Sequence, residues 1–407
     1  MNITKKQHYV SQGILKNFLN EQGKVFELLI EKKLIIPKRI QDTMEQNYVY
    51  EHPALETNTL ERKFGEIESL IFPQIDKIIA DLEQGYKSDK SAFKYISQIK
   101  KMIPLLLVFY FRSGALLHEY EFSSDNYKLD RVERMIANIF SSSYINGLSQ
   151  TVCNCYDTAI IVDESEQFLI SDQYMSTVAL KYKSRFANAS NRQIGMKETM
   201  ILLPLSAKFY VAFYNGHIPN YIVKDGISIL KPEEVQWIND VIIRNSYVEC
   251  VGKYKQELER VKEDEIISFE PGKCLLRYSD GTLKDHIIKR EVFFYEEDWD
   301  LNRNSYTYMT EYLGKIKGKV GRNSLCICGS GRKYKHCCMH KYGLIKDILF
   351  AIQNEGSVYY HIPGAIEVEA AIEEFSGKET ELTNRQDKEV LMKIDELMKT
   401  QEKEQMK

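Results

Sequence analysis

Four cysteines constrain the chemistry of this chain more than any other feature. Cys326 and Cys328 are followed, within thirteen residues in all, by the adjacent pair Cys337 and Cys338. The glycine-rich segment 329–331 lets the backbone reverse direction, so that four sulfurs can converge as a closed tetrahedral zinc site. A disulfide pair would need an oxidising compartment, and a redox dithiol would not need the second pair. We therefore predict one structural zinc ion bound by these four cysteines.

The residues around the cysteines match a known motif. The run from Gly321 to Cys338 resembles the SEC-C motif in its cysteines, its glycines and its basic residues. The resemblance implies zinc and a macromolecular partner rather than a particular reaction. The same motif ends the motor ATPase of preprotein translocation, where it binds zinc and helps to contact a chaperone and the ribosome. In this chain 69 residues follow Cys338.

Length, composition and charge describe an ordinary globular protein. With 407 residues and 43% hydrophobic content the chain can form two or three domains with a substantial core. A net charge of −3 excludes a general affinity of the whole chain for nucleic acid or membranes. The longest apolar run, Met102–Phe111, is about half of what spans a bilayer. No apolar run follows the first lysines, so we expect no signal peptide, no membrane contact and a cytoplasmic location, where thiols stay reduced.

A basic segment surrounds the cysteines. Residues 315–341 contain eight cations and no carboxylate. The cations are Lys315, Lys317, Lys319, Arg322, Arg332, Lys333, Lys335 and Lys341. Such a local field attracts a phosphate-rich or acidic surface. We therefore predict nucleic acid, the ribosome or an acidic protein as the partner of the module, with a plain solubility role as the alternative.

The periodicity of apolar residues predicts an α+β fold. We expect a mainly helical N-terminal half with a small, mostly antiparallel sheet, followed by a zinc knuckle and a helical C-terminal tail. Apolar residues recur at helical spacing in 56–83 and 91–118. The pattern changes towards alternation after residue 152, which predicts that strands 158–162 and 167–170 pair, and that 201–203 and 209–213 form a similar pair.

Composition also predicts domain boundaries. We place a first domain at 1–295, a polar linker at 296–318, the zinc module at 319–341 and a helical tail at 342–407.

Several dispersed pieces of the first 250 residues occur in a recognisable order. They are Gln7-His8-Tyr9-Val10, Leu60-Glu61 through Ile67-Glu68, Phe111-Arg112-Ser113, Leu169-Ile170-Ser171-Asp172 and Leu203-Pro204-Leu205-Ser206. Together they resemble the bacterial family called domain of unknown function 4238. Ser11 stands where that family usually has proline, and Gln173-Tyr174 where it commonly has Asn-Pro. Members of the family are associated with defence against phage, so the resemblance implies a defence role.

Two glutamates of the first long helix are candidate site residues. Glu61 and Glu68 are seven residues apart, which places them on one helix face about 10 Å from each other. They could flank a ligand with help from another element, and His8 beside Gln7 is our candidate. The alternative is that both glutamates are solvated or pair with Arg62, Lys63 or Lys77 on the same helix.

Arg112 lies within the most apolar predicted helix of the chain, 91–118. A buried guanidinium costs several kcal/mol unless an anion pairs with it. Asp172 is the expected internal partner, and the pair could be purely structural. In the functional reading, Arg112 grips a phosphate or a carboxylate at the floor of a cleft. The spacing of Arg112 and His118 also resembles that of HEPN ribonucleases.

These residues support two hypotheses of different classes. The first is a nuclease or other phosphate-ester hydrolase with the catalytic residues His8, Glu61, Glu68, Arg112 and Asp172, and with Gln7 in substrate binding. The second is an adaptor without chemistry, whose two parts bind macromolecules. The sequence contains no Walker loop, nucleophile elbow, His-Glu-x-x-His motif or dinucleotide fingerprint. The two hypotheses differ in whether the five polar residues converge.

Overall fold

The computed structural model describes most of the chain up to the four-cysteine segment. The described residues are 4–53, 55–122, 130–140, 142–181, 194, 198–277, 283–290, 292–307, 320–326 and 328–340. The helical tail predicted for 342–407 lies outside these residues. The fold is α+β, as predicted, with small sheets that are mostly antiparallel.

Helices dominate the first half of the described chain. The α-helices of the described residues are α1 (Gln12–Leu15), α2 (Thr59–Gly85), α3 (Phe93–Phe111), α4 (Gly114–Phe122), α5 (Arg131–Phe140), α6 (Ser142–Cys155), α7 (Pro232–Arg244), α8 (Lys255–Val261) and α9 (Glu296–Thr307). The apolar stripe of α2 is buried, and the helix continues through Pro73. The second long helix that we predicted is divided into α3 and α4 at Arg112 and Ser113.

A close approach between two elements accompanies that division. Gly114 opens α4 against the ring of Tyr9, and a Cβ atom at Gly114 would lie 2.6 Å from that ring. A larger residue there would displace the aromatic ring. The first residues of the chain are therefore packed against the start of α4.

The described strands form two larger sheets, of five and four strands, and two two-stranded sheets. The strands are β1 (Lys6–His8), β2 (Val25–Leu29), β3 (Leu34–Lys38), β4 (Glu45–Asn47), β5 (Asp157–Val162), β6 (Leu169–Ser171), β7 (Ser176–Ala179), β8 (Thr199–Pro204), β9 (Phe209–Asn215), β10 (Ile227–Ile229), β11 (Glu249–Gly252), β12 (Gly272–Arg277) and β13 (Leu283–Ile288). One sheet has the order β10-β5-β9-β8-β7 and the other the order β3-β2-β11-β6. The strands β1 and β4 pair with each other, as do β12 and β13.

One of the two predicted strand pairs is wrong and the other is confirmed. The Asp163 carboxylate accepts hydrogen bonds from the backbone amides of Ser165 and Gln167 and folds the connection between β5 and β6 into a turn. β5 and β6 nevertheless lie in different sheets, because β9 and β10 occupy both edges of β5. After this turn β6 pairs with β11 rather than returning along β5. β8 and β9 pair antiparallel as expected.

A single large apolar cluster joins the helices to both larger sheets. It contains most of α3 and the inward residues of β5, β8 and β9. Among the described residues, no single helix has the length and hydropathy of a membrane span, although α3 and α4 together, bent by 44°, reach that length and composition.

The segment predicted as a linker contains a helix in its first half. α9 occupies Glu296–Thr307, and the described chain resumes at residue 320. Trp299 of α9 packs edge-on against Phe293 at 5.3 Å between ring centroids and donates a hydrogen bond to its carbonyl oxygen. Our boundary at 295 remains a prediction.

Candidate functional site

The four cysteines converge in a compact loop. Positive φ angles at Gly329 and Gly331 reverse the chain between the two pairs, a conformation that favours glycine. The backbone amide of Cys326 donates to the carbonyl of Arg332 and closes the turn. A single 3-10 turn, Tyr334–His336, then presents the second pair of cysteines.

The sulfur positions fit a tetrahedral metal site. The Sγ atom of Cys328 lies 3.4 Å from that of Cys326 and 3.5 Å from that of Cys337, which is 3.9 Å from Cys338. Metal–sulfur bonds of about 2.3 Å in a tetrahedron would place the sulfurs about 3.8 Å apart. Hydrogen bonds with Ser330 lower the pKa of Cys328 to about 6, whereas burial raises the pKa of Cys338. The cluster is therefore built to hold a metal ion.

The metal module is attached to the rest of the molecule through α9. Leu301 of that helix packs against the cysteine cluster together with Tyr334. The helix that carries Trp299 into the N-terminal domain therefore also contacts the module.

A second candidate site surrounds Arg112, which is 1% exposed. Its guanidinium carbon lies 4.6 Å from the ring centroid of Phe64, 4.5 Å from that of Phe109 and 5.8 Å from that of Tyr50. It forms an ion pair with Glu68. The aromatic rings stabilise the charge on one side and the carboxylate on the other.

The charge of Arg112 acts on the pKa values of two further candidate residues, Glu61 and His8. Burial raises the pKa of Glu61, which Arg112 opposes and Glu68 reinforces. Burial lowers the pKa of His8, whose ring bonds the carbonyl of Ile40, and both Glu68 and Arg112 act on it electrostatically. His8, Glu61, Glu68 and Arg112 are therefore brought together from three distant parts of the sequence.

Gln7 and Tyr50 hold these parts in place. Gln7 is fully buried, donates to the Glu51 carboxylate and accepts from the backbone amide of Tyr50. The Tyr50 hydroxyl lies 3.2 Å from the carbonyl oxygens of both His8 and Arg112. Gln7 thus supports the cluster rather than pointing into it.

Several buried polar atoms beside Arg112 have no hydrogen-bond partner in the described part of the chain. They are Arg112 Nε, Ser113 Oγ and Tyr174 Oη. Tyr174 packs at 6.0 Å from Phe109, the ring that also stacks on Arg112. Native proteins leave few buried polar atoms unsatisfied. This group, most of which can donate a hydrogen bond, is suited to an anionic oxygen.

The comparison with known families follows the same division of the chain. A sequence model described as "Protein of unknown function (DUF4238)" matches residues 6–256. The chain belongs to the DUF4238 family. A SEC-C motif matches residues 322–339, so both resemblances seen in the sequence are confirmed.

A curated relative matches only part of the chain. Protein translocase subunit SecA of Lawsonia intracellularis (strain PHE/MN1-00) is 33% identical over 95 residues, which cover 21% of this chain and 11% of that protein. The chain therefore corresponds to about a tenth of the length of that relative. No solved structure matches the chain.

Asp172 has a different place in the DUF4238 domain from the one that we expected. Its carboxylate accepts hydrogen bonds from the backbone amides of Tyr247, Val248 and Glu249, at 2.7 Å for Val248. Burial raises its pKa to about 6, although these amides oppose the shift. The ion pair of Arg112 is formed with Glu68 instead, because Asp172 is held by the chain leading into β11. Asp172 thus joins two strands of the DUF4238 domain.

His118 also lies away from Arg112 in the DUF4238 domain. Its Nε2 atom is 2.7 Å from the carbonyl oxygen of Phe269, and its ring packs edge-on against the Phe269 ring, at 4.2 Å between centroids. The Arg-to-His spacing spans the break between α3 and α4, which gives the two residues different surroundings.

The basic residues of the SEC-C module are partly described. Arg322, Arg332 and Lys333 are exposed and Lys335 is half-buried. None of these four forms an ion pair within the described ranges. Lys315, Lys317, Lys319 and Lys341 lie outside them.

The sequence reading missed one charged group of the DUF4238 domain. Glu249 on β11 accepts a hydrogen bond of 2.6 Å from the Tyr9 hydroxyl. Burial raises its pKa to about 8, and the neighbouring Glu27 carboxylate reinforces the shift. A single glutamate beside apolar strand residues was the available signal, and it is too common to single out a site.

Proposed function

We propose that this chain is a cytoplasmic, zinc-binding bacterial effector of phage defence, whose DUF4238 domain hydrolyses a phosphate ester in nucleic acid or a nucleotide. The observation that carries the proposal is the buried Arg112 with its unpaired Nε atom, near the unpaired polar atoms of Ser113 and Tyr174. Donors of this kind bind phosphate oxygens and stabilise charge that develops in a transition state. The defence role follows from the association of the family.

The cluster supplies acid and base roles for such a reaction. His8 has a lowered pKa and is neutral at pH 7, so it accepts a proton from the attacking water. Glu61 has a raised pKa and donates a proton to the leaving oxygen. Glu68 is a positioning residue, because its ion pair fixes the Arg112 guanidinium.

We propose zinc as the metal of the SEC-C module. Four thiolates in tetrahedral arrangement favour zinc over hard cations. The module is too small to hold a core of its own, so the metal supplies folding free energy on the order of 10 kcal/mol. Metal analysis of the purified chain should find one zinc ion per chain, and none after Cys337→Ser. Full zinc content in that variant would contradict the assignment.

We further propose that the module recruits the protein to an anionic surface on the ribosome, another nucleic acid or an acidic protein. Arg322, Arg332 and Lys333 are exposed around the metal loop, and the rest of the chain is slightly acidic. Binding through several phosphates falls steeply with salt. The zinc-loaded protein should therefore bind RNA more weakly at high salt, and Arg332→Glu with Lys333→Glu should weaken binding further. Salt-insensitive binding that is equal in both forms would contradict recruitment by charge.

The experiment that tests the catalytic role compares two glutamates of α2. Glu61→Gln removes the proposed acid, whereas Glu66→Gln changes a surface residue that pairs with Lys63 on the same helix. We expect Glu61→Gln to lower phosphate-ester hydrolysis by on the order of 100-fold and to abolish protection from phage, with Glu66→Gln unchanged. Both variants should melt like the wild type.

The adaptor hypothesis is favoured by one observation of its own. Glu68 already neutralises Arg112 without any ligand. If Glu61→Gln protects cells as well as the wild type while the doubly reversed basic variant does not, the protein acts by binding alone.

A further inference from the structure

A cavity that Tyr9 helps to line has no role in the function proposed above. Its volume is about 350 Å³, and its walls come from β4, α4, β11 and the chain near Phe269. Cavities of this size commonly hold small ligands. His8 precedes Tyr9 in the chain, but its ring bonds Ile40 and Gln12 and does not line this cavity.

Glu249 gives the cavity an acidic wall. One of its carboxyl oxygens accepts the Tyr9 hydroxyl at 2.6 Å, and the other accepts no hydrogen bond from the part of the chain that the structure describes. Buried acids that line a cleft and lack a charge partner are candidates for ligand contact. This carboxyl group therefore retains one oxygen for a ligand.

The residues that line the cavity include more carboxylates than cations. Glu45 and Glu121 also line it, and Arg131 is the cation among the lining residues. Arg131 is already matched, because it forms an ion pair of 3.0 Å with Glu121. His118 adds no fixed charge, since burial lowers its pKa.

We propose that this cavity binds a small organic cation, an amine or a guanidine, with Glu249 as its counter-ion. Tyr9 and Phe269 supply aromatic surface for the apolar part of the ligand and for cation–π contact. Glu45 supplies a second carboxylate, although Lys6 also approaches it at 3.1 Å. The proposal does not depend on the reaction at Arg112.

Binding of a cation is coupled to ionisation of Glu249. Burial raises its pKa to about 8, Glu27 and Asp172 reinforce the shift, and Tyr9 and Lys38 oppose it. The carboxyl group is therefore mostly protonated at pH 7. A cation selects the ionised form, so binding releases a proton, and affinity rises about tenfold per pH unit below pH 8.

The groups around Glu249 set the limits of this pH dependence. His118 faces the cavity from α4 and Glu45 from β4, while Glu121 and Arg131 form their pair at its rim. Burial lowers the pKa of His118, which favours its neutral form. Asp172 also acts on Glu249, and burial raises the pKa of Asp172 to about 6, so Asp172 titrates at the lower end of the range used. The change between pH 7 and pH 9 is thus assigned to Glu249, and the variant Glu249→Gln described below separates it from any contribution of Asp172 near pH 6.

The test uses the full zinc-loaded chain and putrescine as the probe. Calorimetry at pH 6, 7, 8 and 9 gives the affinity, and titration in two buffers of different ionisation enthalpy gives the protons released. We expect an affinity about 100-fold higher at pH 9 than at pH 6, and close to one proton released at pH 7. Butanediol, which has the same carbon chain without charge, should not bind.

Matched variants assign the effect to the cavity. Glu249→Gln keeps an acceptor for the Tyr9 hydroxyl but cannot ionise, so we expect at least tenfold weaker binding at pH 9 and no pH dependence. Glu263→Gln, on the surface beside Lys33, should bind like the wild type. If Glu249→Gln does not fold, proton release by the wild type alone still decides the matter.

Three results would overturn the proposal. They are absence of putrescine binding at pH 9, an affinity that does not change between pH 6 and pH 9, and equal binding of butanediol.

Discussion

At the scale of single residues, the structure separates two acidic groups by their surroundings. Asp172 accepts hydrogen bonds from three consecutive backbone amides, whereas Glu61 is buried close to a guanidinium. A carboxylate that accepts hydrogen bonds from several backbone amides holds two parts of the chain together. We therefore remove Asp172 from the proposed reaction and keep Glu61.

Replacement of Asp172 should lower the stability of the protein and leave its activity unchanged. Asp172→Asn leaves one acceptor oxygen for three amides, and an unsatisfied buried donor costs about 1–3 kcal/mol. Urea unfolding should show a loss of about 2 kcal/mol, with turnover per folded molecule unchanged. Asp300→Asn, at an exposed position of α9, is the control and should differ by less than about 0.5 kcal/mol. A stable but inactive Asp172→Asn protein would return this residue to the reaction.

Glu249 should make stability depend on pH in a defined direction. Its pKa is raised from 4.5 to about 8 by folding, so the folded state holds its proton more tightly than the unfolded state. The wild type therefore loses stability as pH rises from about 4.5 to about 8, by at most about 1.4 kcal/mol per unit.

The variant Glu249→Gln isolates this effect. Because glutamine does not titrate, its stability relative to the wild type should rise from pH 5 to pH 8 and then stay constant. Urea unfolding at pH 5, 7 and 9 measures the difference. A constant difference at all three values would show that Glu249 titrates normally.

At the scale of elements, the sequence predicted the long helices better than the connections. Apolar residues repeat many times in α2, so its bounds were found within a few residues, and β8 and β9 paired as expected. The pairing of β5 with β6 was wrong, because β9 and β10 occupy both edges of β5, and periodicity does not reveal which strands become neighbours. α9 was read as a linker because a few apolar anchors, Trp299 and Leu301 among them, lie among polar residues.

Leu301 should hold the metal module against the domain. Leu301→Ala removes half-buried apolar surface, which corresponds to about 1–2 kcal/mol of docking free energy. We expect faster hydrogen exchange in α9 and faster proteolysis beside the module, with metal content unchanged. Arg303→Ala, an exposed position on the same helix, should behave like the wild type. Equal exchange in both variants would mean that the module is docked by other contacts.

At the scale of the whole molecule, part of the candidate site was predictable and part was not. His8, Glu61, Glu68 and Arg112 are polar residues within apolar patterns, and the structure brings them together. Which carboxylate pairs with Arg112 depends on tertiary packing, so the expected Asp172 partner could not be distinguished from Glu68. The candidate role of Glu249 could not be predicted from the sequence, because it depends on a cavity whose walls come from separate parts of the chain.

The N-terminal domain should fold without the metal module. The main apolar cluster lies almost wholly within residues 9–294, so a chain ending at 295 should melt cooperatively. Loss of Trp299 should lower the melting temperature by a few degrees, and a chelator should not change it further. Calorimetric melting of the truncated and full chains makes the comparison. A broad, non-cooperative transition of the truncated chain would show that α9 belongs to the core.

The position of β11 has a consequence for how the protein is made. β2 lies between its hairpin partner β3 and β11, and β6 pairs with β11 as well, although about 220 residues separate β2 from β11. On a ribosome that translates at about 5–20 residues per second, roughly 10 to 40 seconds pass between the synthesis of the β2–β3 hairpin and the synthesis of β11. During that time the edge of β2 is open to other strands, so slowing translation after residue 38 should lower the soluble yield.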